Sequence, residues 1–279
     1  MRLRIATILV GHEPDAYRLA FEKCNELMKS ICPDAIRSTI IVDNAQPRAA
    51  VDEISEDLSI VGGDNQFREF SAWDQGLAEL HRRRLSPDLI HLVTTAFDSL
   101  YVDYLKLFNR DSLFFAHRKR CAIGHIDYYN EPVEIVDRVS QSWMRTAFFF
   151  LPAEALRRLR TTVSIEPGES FFTKDPSEPF AKDAPVSERY RQYIESWLTG
   201  GDTGQGVRWH SAFDLDEQTL PLFRAKATAI LNEHLFSIRL RSAGFPLCDI
   251  AWLREQLRLC PEQEIDAETD WSTQIRGRP

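Results

Sequence analysis

The chain is poor in cysteine and methionine and has no long apolar run. Its five cysteines, Cys24, Cys32, Cys121, Cys248 and Cys260, are odd in number and widely spaced, and they form no CxxC pair. That pattern excludes a disulfide framework and a zinc module, and it fits a reducing compartment. No stretch of about 18 apolar residues occurs, which argues against a membrane-spanning helix. The apolar run at residues 5–10 is too short for a signal peptide, and Gly11-His12-Glu13-Pro14 follows it instead of a small-residue cleavage site. The expected setting is therefore cytoplasmic, with peripheral contact at the inner membrane face left open. A P-loop, a GxGxxG site and a GxSxG nucleophile elbow are all missing. So is the Gly-rich, Arg-containing loop that a nucleotidyltransferase carries after its first strand. A basic surplus is absent too: 34 Lys and Arg stand against 42 Asp and Glu, a formal net charge of −8. A chain with that balance is not a general nucleic-acid binder.

What is present is an alternation of two periodicities over the first 125 residues. Residues 3–10 form an apolar run ending in Gly-His-Glu-Pro, which predicts a buried strand. Pro14 opens a helix that Pro33 ends. Residues 38–42 predict a second strand, stopping at Asp43-Asn44. Residues 58–61 predict a third, closed by Gly62-Gly63, with a short helix before it. Phe70, Trp73, Leu77 and Leu80 share one face of a helix. Residues 89–93 predict a fourth strand, followed by Thr94-Thr95-Ala96-Phe97-Asp98. This order predicts an α/β fold: a single Rossmann-like domain with a mostly parallel sheet and helices on both faces. Ligands of such sheets sit beyond the carboxyl ends of the strands.

After Cys121 the pattern changes. Strands are predicted at 122–126 and 147–151, a helix at about 153–160, a long mobile loop at 162–187, and helices at 187–198, 217–241 and 250–259. The expected organisation is 1–120 as a nucleotide-sugar-binding half, 121–260 as an acceptor-side half with a helical C-terminal part, and 261–279 as a polar, disordered tail.

The string Ile40-Ile41-Val42-Asp43-Asn44, then Gly63-Asp64-Asn65 running into Glu69-Phe70-Ser71-Ala72-Trp73-Asp74-Gln75-Gly76-Leu77, then Asp98, resembles the GT-A glycosyltransferases of bacterial O-antigen and polysaccharide clusters. Ser142-Trp143-Met144-Arg145-Thr146 adds to the likeness, which covers roughly residues 3 to 160. The resemblance implies transfer of a hexosyl or deoxyhexosyl group from a nucleotide-diphosphate sugar to a glycan or lipid-linked acceptor, as in lipopolysaccharide synthesis. It places Val10, Gly11, His12 and Glu13 over the base, Asp43 and Asn44 on the base or ribose, Asn65 and Asp74 on sugar or ribose, and Arg145 on phosphate. It assigns Asp98 to a divalent cation, Mg2+ or Mn2+, that bridges the diphosphate.

Ala96 breaks the family's Asp-x-Asp motif. Asp98 has a second reading, as the N-cap of a helix over 99–108. The acceptor hydroxyl of an inverting enzyme needs a general base. Asp127 is the favoured residue, with Glu134, Glu188, Asp214, His125 and His210 as others. Arg157, Arg158 and Arg160 suit an anionic membrane surface or a solvated helix end. The alternative to an enzyme is a catalytically inactive GT-A-like module that binds glycans or partners.

Overall fold

The computed structural model describes residues 2–99, 102–168, 170–203 and 211–278. Its elements in order are β1 (Arg4–Gly11), α1 (Pro14–Ile31), β2 (Ile36–Asp43), β3 (Val51–Ser55), β4 (Leu58–Gly62), α2 (Glu69–Arg82), β5 (Leu89–Thr94), α3 (Arg110–Lys119), β6 (Ala122–Gly124), β7 (Ile126–Ile135), β8 (Arg138–Met144), β9 (Phe148–Pro152), α4 (Ala153–Leu159), α5 (Glu188–Thr199), α6 (Leu220–Ser242), β10 (Leu247–Asp249), α7 (Ile250–Leu259) and α8 (Trp271–Arg276).

Two compact units form. The first comprises Met1–Ile126, Met144–Thr162 and Arg239–Pro279, and the second Asp127–Trp143 and Val163–Ile238. The halves 1–120 and 121–260 do not coincide with these units. The chain leaves the first unit at Asp127 and returns to it twice, a discontinuity that no change of composition marks.

The first unit is built on an eight-stranded sheet in the order β10-β6-β9-β5-β1-β2-β4-β3. β1 pairs in parallel with β2 and β5, and β2 with β4. β9 runs antiparallel to β5 and β6, and β3 antiparallel to β4. Residues alternate between faces along a strand. Ile5, Leu9 and Ile41 therefore join a core with Tyr17, Ala20, Cys24 and Met28 of α1. Ile8 and Val42 point the other way, to α2. A Cβ at Gly76 of α2 would lie 2.4 Å from Ile8 Cγ2, so only glycine lets that helix settle on the strand. Helices thus cover both faces, as the α/β reading requires.

Several elements differ from expectation. The segment before β4 is the edge strand β3, not a short helix; its residues are all exposed, and it is held by pairing to β4 and by the ion pair of Glu53 with Arg82 at 2.6 Å. Of the helix expected at 99–108, residues 100 and 101 lie outside the described residues; the described ones form 3-10 turns at Thr95–Asp98 and Asp103–Leu107, and Asp98 closes the first of them. The tail is not disordered: Ile265, Ala267 and Gln274 are buried, and α8 carries the chain back to β10.

In the second unit, β7 and β8 form a hairpin. Val136 (φ 49°) and Asp137 (φ 59°) make its turn. Two consecutive positive φ values usually call for Asn-Gly, which is why Val-Asp gives no hairpin signal. The coil at 163–168 and 170–187 is also ordered. Phe171, Phe172, Phe180 and Val186 are buried against Tyr190, Ile194 and Phe223, and the Asn232 carboxamide oxygen accepts from Ser164 N at 2.6 Å and Ile165 N at 3.0 Å.

His91 lies in the middle of β5. Its Nδ1 meets Thr7 Oγ1 at 3.2 Å, and its ring stacks on Phe150 with centroids 4.3 Å apart. Burial pushes the imidazole down from 6.5 to about 3. His234 of α6 is also pushed down to about 3 by burial, against the opposing charge of Asp127. Both stay neutral when folded and take up a proton when unfolded below their ordinary value. Stability is therefore complete above pH ~6.5 and falls as pH drops toward 3, by about 2 kcal/mol per histidine at pH 5. Urea unfolding at pH 7 and pH 5 should show this loss, and His91→Leu should shrink it by about 2 kcal/mol. An unchanged pH dependence in that variant would remove His91 as its source.

Candidate functional site

Parallel pairing brings the carboxyl ends of β1, β2, β4 and β5 to one edge of the first unit. Gly11 lies beside Asp43, Asp43 beside Gly62, and Val10 beside Thr94. The chain then crosses between strand ends: Asn44 N donates to Gly11 O at 2.9 Å, and Gly63 N to Asp43 O at 2.9 Å. Thr95 closes over Gly11, where a Cβ would stand 3.0 Å from its Cγ2.

Asp43 is the central group. It is 1% exposed. Its Oδ1 accepts from Ala45 N at 2.9 Å, an Asx turn that bends the chain off β2. Its Oδ2 is buried with no hydrogen-bond partner among the described residues, and so is Asn44 Oδ1. A buried carboxylate oxygen left unsatisfied costs several kcal/mol in general. Tyr17 of α1 lies within electrostatic range. Burial first, and then the charge of Asp43, raise its phenol above the usual tyrosine value.

The glycines of this edge serve packing. A Cβ on Gly63 would fall 2.0 Å from Asn44 Oδ1, and one on Gly62 would fall 1.8 Å from Pro47 O. Asn44 Nδ2 reaches Asn65 Oδ1 and Arg68 O, each at 3.4 Å. Asn65 sits at φ 52°, and Arg68, just before α2, at φ 54° and ψ −129°. For a residue with a Cβ, the Arg68 geometry is strained, and such strain persists only where its surroundings enforce it. Arg48 pairs with Asp64 at 3.2 Å and ties the loop after β2 to the loop before α2.

Val10 is buried, while His12 and Glu13 are exposed just past the end of β1. Arg145 donates its backbone N–H to His125 O at 2.9 Å, with its guanidinium 5.9 Å from the Tyr104 ring centroid. Asp127 belongs to the second unit, in electrostatic range of Tyr129 and His234. Glu134, Glu188 and Asp214 also belong to that unit, and His210 lies outside the described residues.

The geometry gives two acidic residues other work. The Asp74 carboxylate accepts from Thr162 N at 2.6 Å, from Thr162 Oγ1 at 2.9 Å, and from Thr161 Oγ1. The Thr162 hydroxyl also lies 2.6 Å from Phe70 O, so its one proton is shared between that carbonyl and the Asp74 carboxylate. Asp74 therefore anchors the chain leaving α4 to α2. Asp98 is ion-paired with Lys23 of α1. Lys23 stands about 2.5 turns into that helix, so the carboxylate is turned along the flank of α1. With an ammonium on its one carboxylate and Ala at position 96, this turn does not fit a divalent cation. No cluster of three His, Cys, Asp or Glu suited to a metal occurs among the described residues.

No family profile matches the sequence, and no curated protein is similar enough to count as a relative. Among the solved structures that are similar is mannosyltransferase PcManGT from Pyrobaculum calidifontis in complex with GDP-Man and Mn2+, at a TM-score of 0.37 and 12% identity over 88% of this chain and 76% of that one. Likeness at that level bears on neither the activity nor the ligand of this protein.

Tyr17, Thr95 and Arg68 are the members of this edge that sequence reasoning missed. Tyr17 is placed by the packing of α1 on the sheet and Thr95 by the turn that follows β5, and the third is marked by a backbone angle that no residue type announces. Asp74 gives the sharper test. Replacing it by Ala leaves the Thr162 N–H without its acceptor and should cost about 1–3 kcal/mol of stability. Chemical unfolding measures that loss, and full stability in Asp74→Ala would rule out the anchoring role.

Proposed function

We propose that the protein is a glycosyltransferase. It would move a hexosyl or deoxyhexosyl group from a nucleotide-diphosphate sugar to a glycan or lipid-linked acceptor in cell-surface polysaccharide synthesis. The observation that carries this reading is the buried, unpartnered Oδ2 of Asp43 at the carboxyl edge of a parallel sheet. A carboxylate there accepts a hydrogen bond from a base imide N–H or a ribose hydroxyl. Asn44 Oδ1, likewise unpartnered, accepts a second. The main chain of Val10 to Glu13 covers the base, and Asn65 contacts the ribose or sugar.

In the reaction, the acceptor oxygen forms a bond to the anomeric carbon as the bond from that carbon to the diphosphate breaks. Asp127 takes the acceptor proton as general base. Arg145 meets the charge that grows on the leaving diphosphate. The acid–base role rests on the mixture of aromatic and polar residues around Asp127 in the sequence, the phosphate role on the chemistry of a guanidinium, and the Asp43 role on geometry. The fitting location is the cytoplasmic face of a membrane, where Arg157, Arg158 and Arg160 would meet anionic lipid.

The Lys23–Asp98 pair favours one other reading. It occupies the carboxylate that the resembled family gives to its metal, as in a module that keeps the sugar-nucleotide site and has lost turnover.

Calorimetric titration with UDP and GDP tests the donor site. One of them should bind, and Asp43→Asn should weaken that binding by about 10- to 100-fold, the worth of a charge-assisted hydrogen bond. The same variant should unfold at an equal or higher temperature than the parent, because an unsatisfied buried charge is gone. Absence of binding by either diphosphate would sink the proposal. Binding without transfer from any sugar nucleotide would select the inactive module.

A further inference from the structure

The residues of the C-terminal segment form a buried polar clasp at the point where the chain leaves the sheet for β7. Asp249, at the end of β10, is fully buried. Its Oδ1 caps α7, accepting from Ala251 N at 3.0 Å and Trp252 N at 3.1 Å. Its Oδ2 accepts from Ile126 N at 3.0 Å. Arg278 Nη2 lies 2.5 Å from the same Oδ2 and also donates to Ile126 O. Gln274 supports the arrangement from α8: its Oε1 accepts from Asp249 N at 2.6 Å, and its Nε2 donates to Leu247 O at 3.0 Å and Thr269 O at 2.8 Å. Both backbone groups of Ile126 are therefore held by one ion pair. The residue before is held as well, since His125 O accepts from Arg145 N.

Fixing Ile126 O fixes the peptide plane that Ile126 shares with Asp127. We infer that Arg278 is a positioning residue for Asp127: with Asp249, it sets the backbone from which the general base projects. This rests on the reading of Asp127 as that base. The chemistry suits the task. A lone ion pair deep in a protein is a poor stabiliser, but removing one partner is costly because it leaves a charge uncompensated. Such a pair has one favoured geometry, so it specifies position more than it adds stability. The two bonds come from a single nitrogen, so a Lys ammonium at position 278 can supply both.

The test compares the parent, Arg278→Ala and Arg278→Lys by hydrogen exchange of the 126–127 amides, by nucleoside diphosphate affinity, and by steady-state transfer. Arg278→Ala should speed exchange at these amides. It should lower kcat by about 100-fold, the usual penalty for misplacing a catalytic group by an ångström. Affinity for the diphosphate should stay within about twofold, as expected of a distant site. Arg278→Lys should restore kcat. If the alanine variant does not fold, Arg278→Gln keeps a donor for Ile126 O, removes the charge, and takes its place.

Unchanged kcat in an exchange-sensitive variant overturns the inference, and so does a parallel fall in kcat and diphosphate affinity, which would mean general loosening. A parent that binds diphosphate and transfers normally while Arg278→Ala behaves like it defeats this inference alone. A parent that transfers from no donor defeats the proposed function and this inference with it.

Discussion

A carboxylate held out of water at the end of a parallel strand is the constraint around which the first unit is arranged. Asp43 cannot turn back into the sheet, because β2 is paired on both sides, with β1 and β4. It cannot reach solvent either, because the chain after it folds over the strand end through Asn44 and Gly63. Gly62 and Gly63 follow from this. Side chains at those positions would strike Pro47 O and Asn44 Oδ1, so glycine is required for the loops to close over Asp43. The two glycines, marked in the sequence as the close of a strand, are thus explained by protein packing against protein.

The neighbouring loop accepts strain for the same end. Asn65 and Arg68 both take positive φ, and Arg68 does so with a ψ that few side-chain-bearing residues adopt. Asn44 reaches both through one amide group, at the long end of hydrogen-bond distance. Such contacts are weak singly. What over-determines the loop is α2 behind it, seated on Ile8 and Val42 through Gly76 and anchored at Asp74. The position of Asn65 at the strand ends depends on a helix packed on the far face of the sheet.

These dependencies explain how much was legible in advance. The parallel strands β1, β2, β4 and β5 announce themselves as apolar runs that end in turn residues. The face of α2 is written in the spacing of Phe70, Trp73 and Leu80, all buried. The place of Asp43 and Asn44 at a strand end was legible for the same reason: strand ends are local features, and the ligand edge of a parallel sheet is a rule of topology. The bonding of Asp74 and Asp98 was not, because a carboxylate's partners are decided by what packs against it. Here that is Thr161 and Thr162 in one case and Lys23 in the other, 75 or more residues away in sequence. The hairpin of β7 and β8 escaped notice because its turn residues lack the usual chemistry. The C-terminal segment escaped because its polar composition hides a few buried contacts that hold it in place.

A comparison within the unit strengthens the weight placed on Asp43. Asp249 is the same kind of group in the same kind of place: a buried aspartate ending a strand paired in parallel, at the entrance to a turn or helix. There the fold supplies everything a carboxylate asks for. Two backbone N–H groups reach one oxygen, and one backbone N–H and a guanidinium reach the other. Among the described residues, Asp43 receives one backbone N–H on its carboxylate. Both sites lie in one unit and are built from the same materials, so the fold has the means to neutralise a buried carboxylate. Leaving Asp43 half satisfied spends stability without any packing return, and a sequence tolerates that where the unsatisfied atom has work to do. The donor site proposed above, with a hydrogen-bond donor of the nucleotide on Asp43 Oδ2, would account for the oddity.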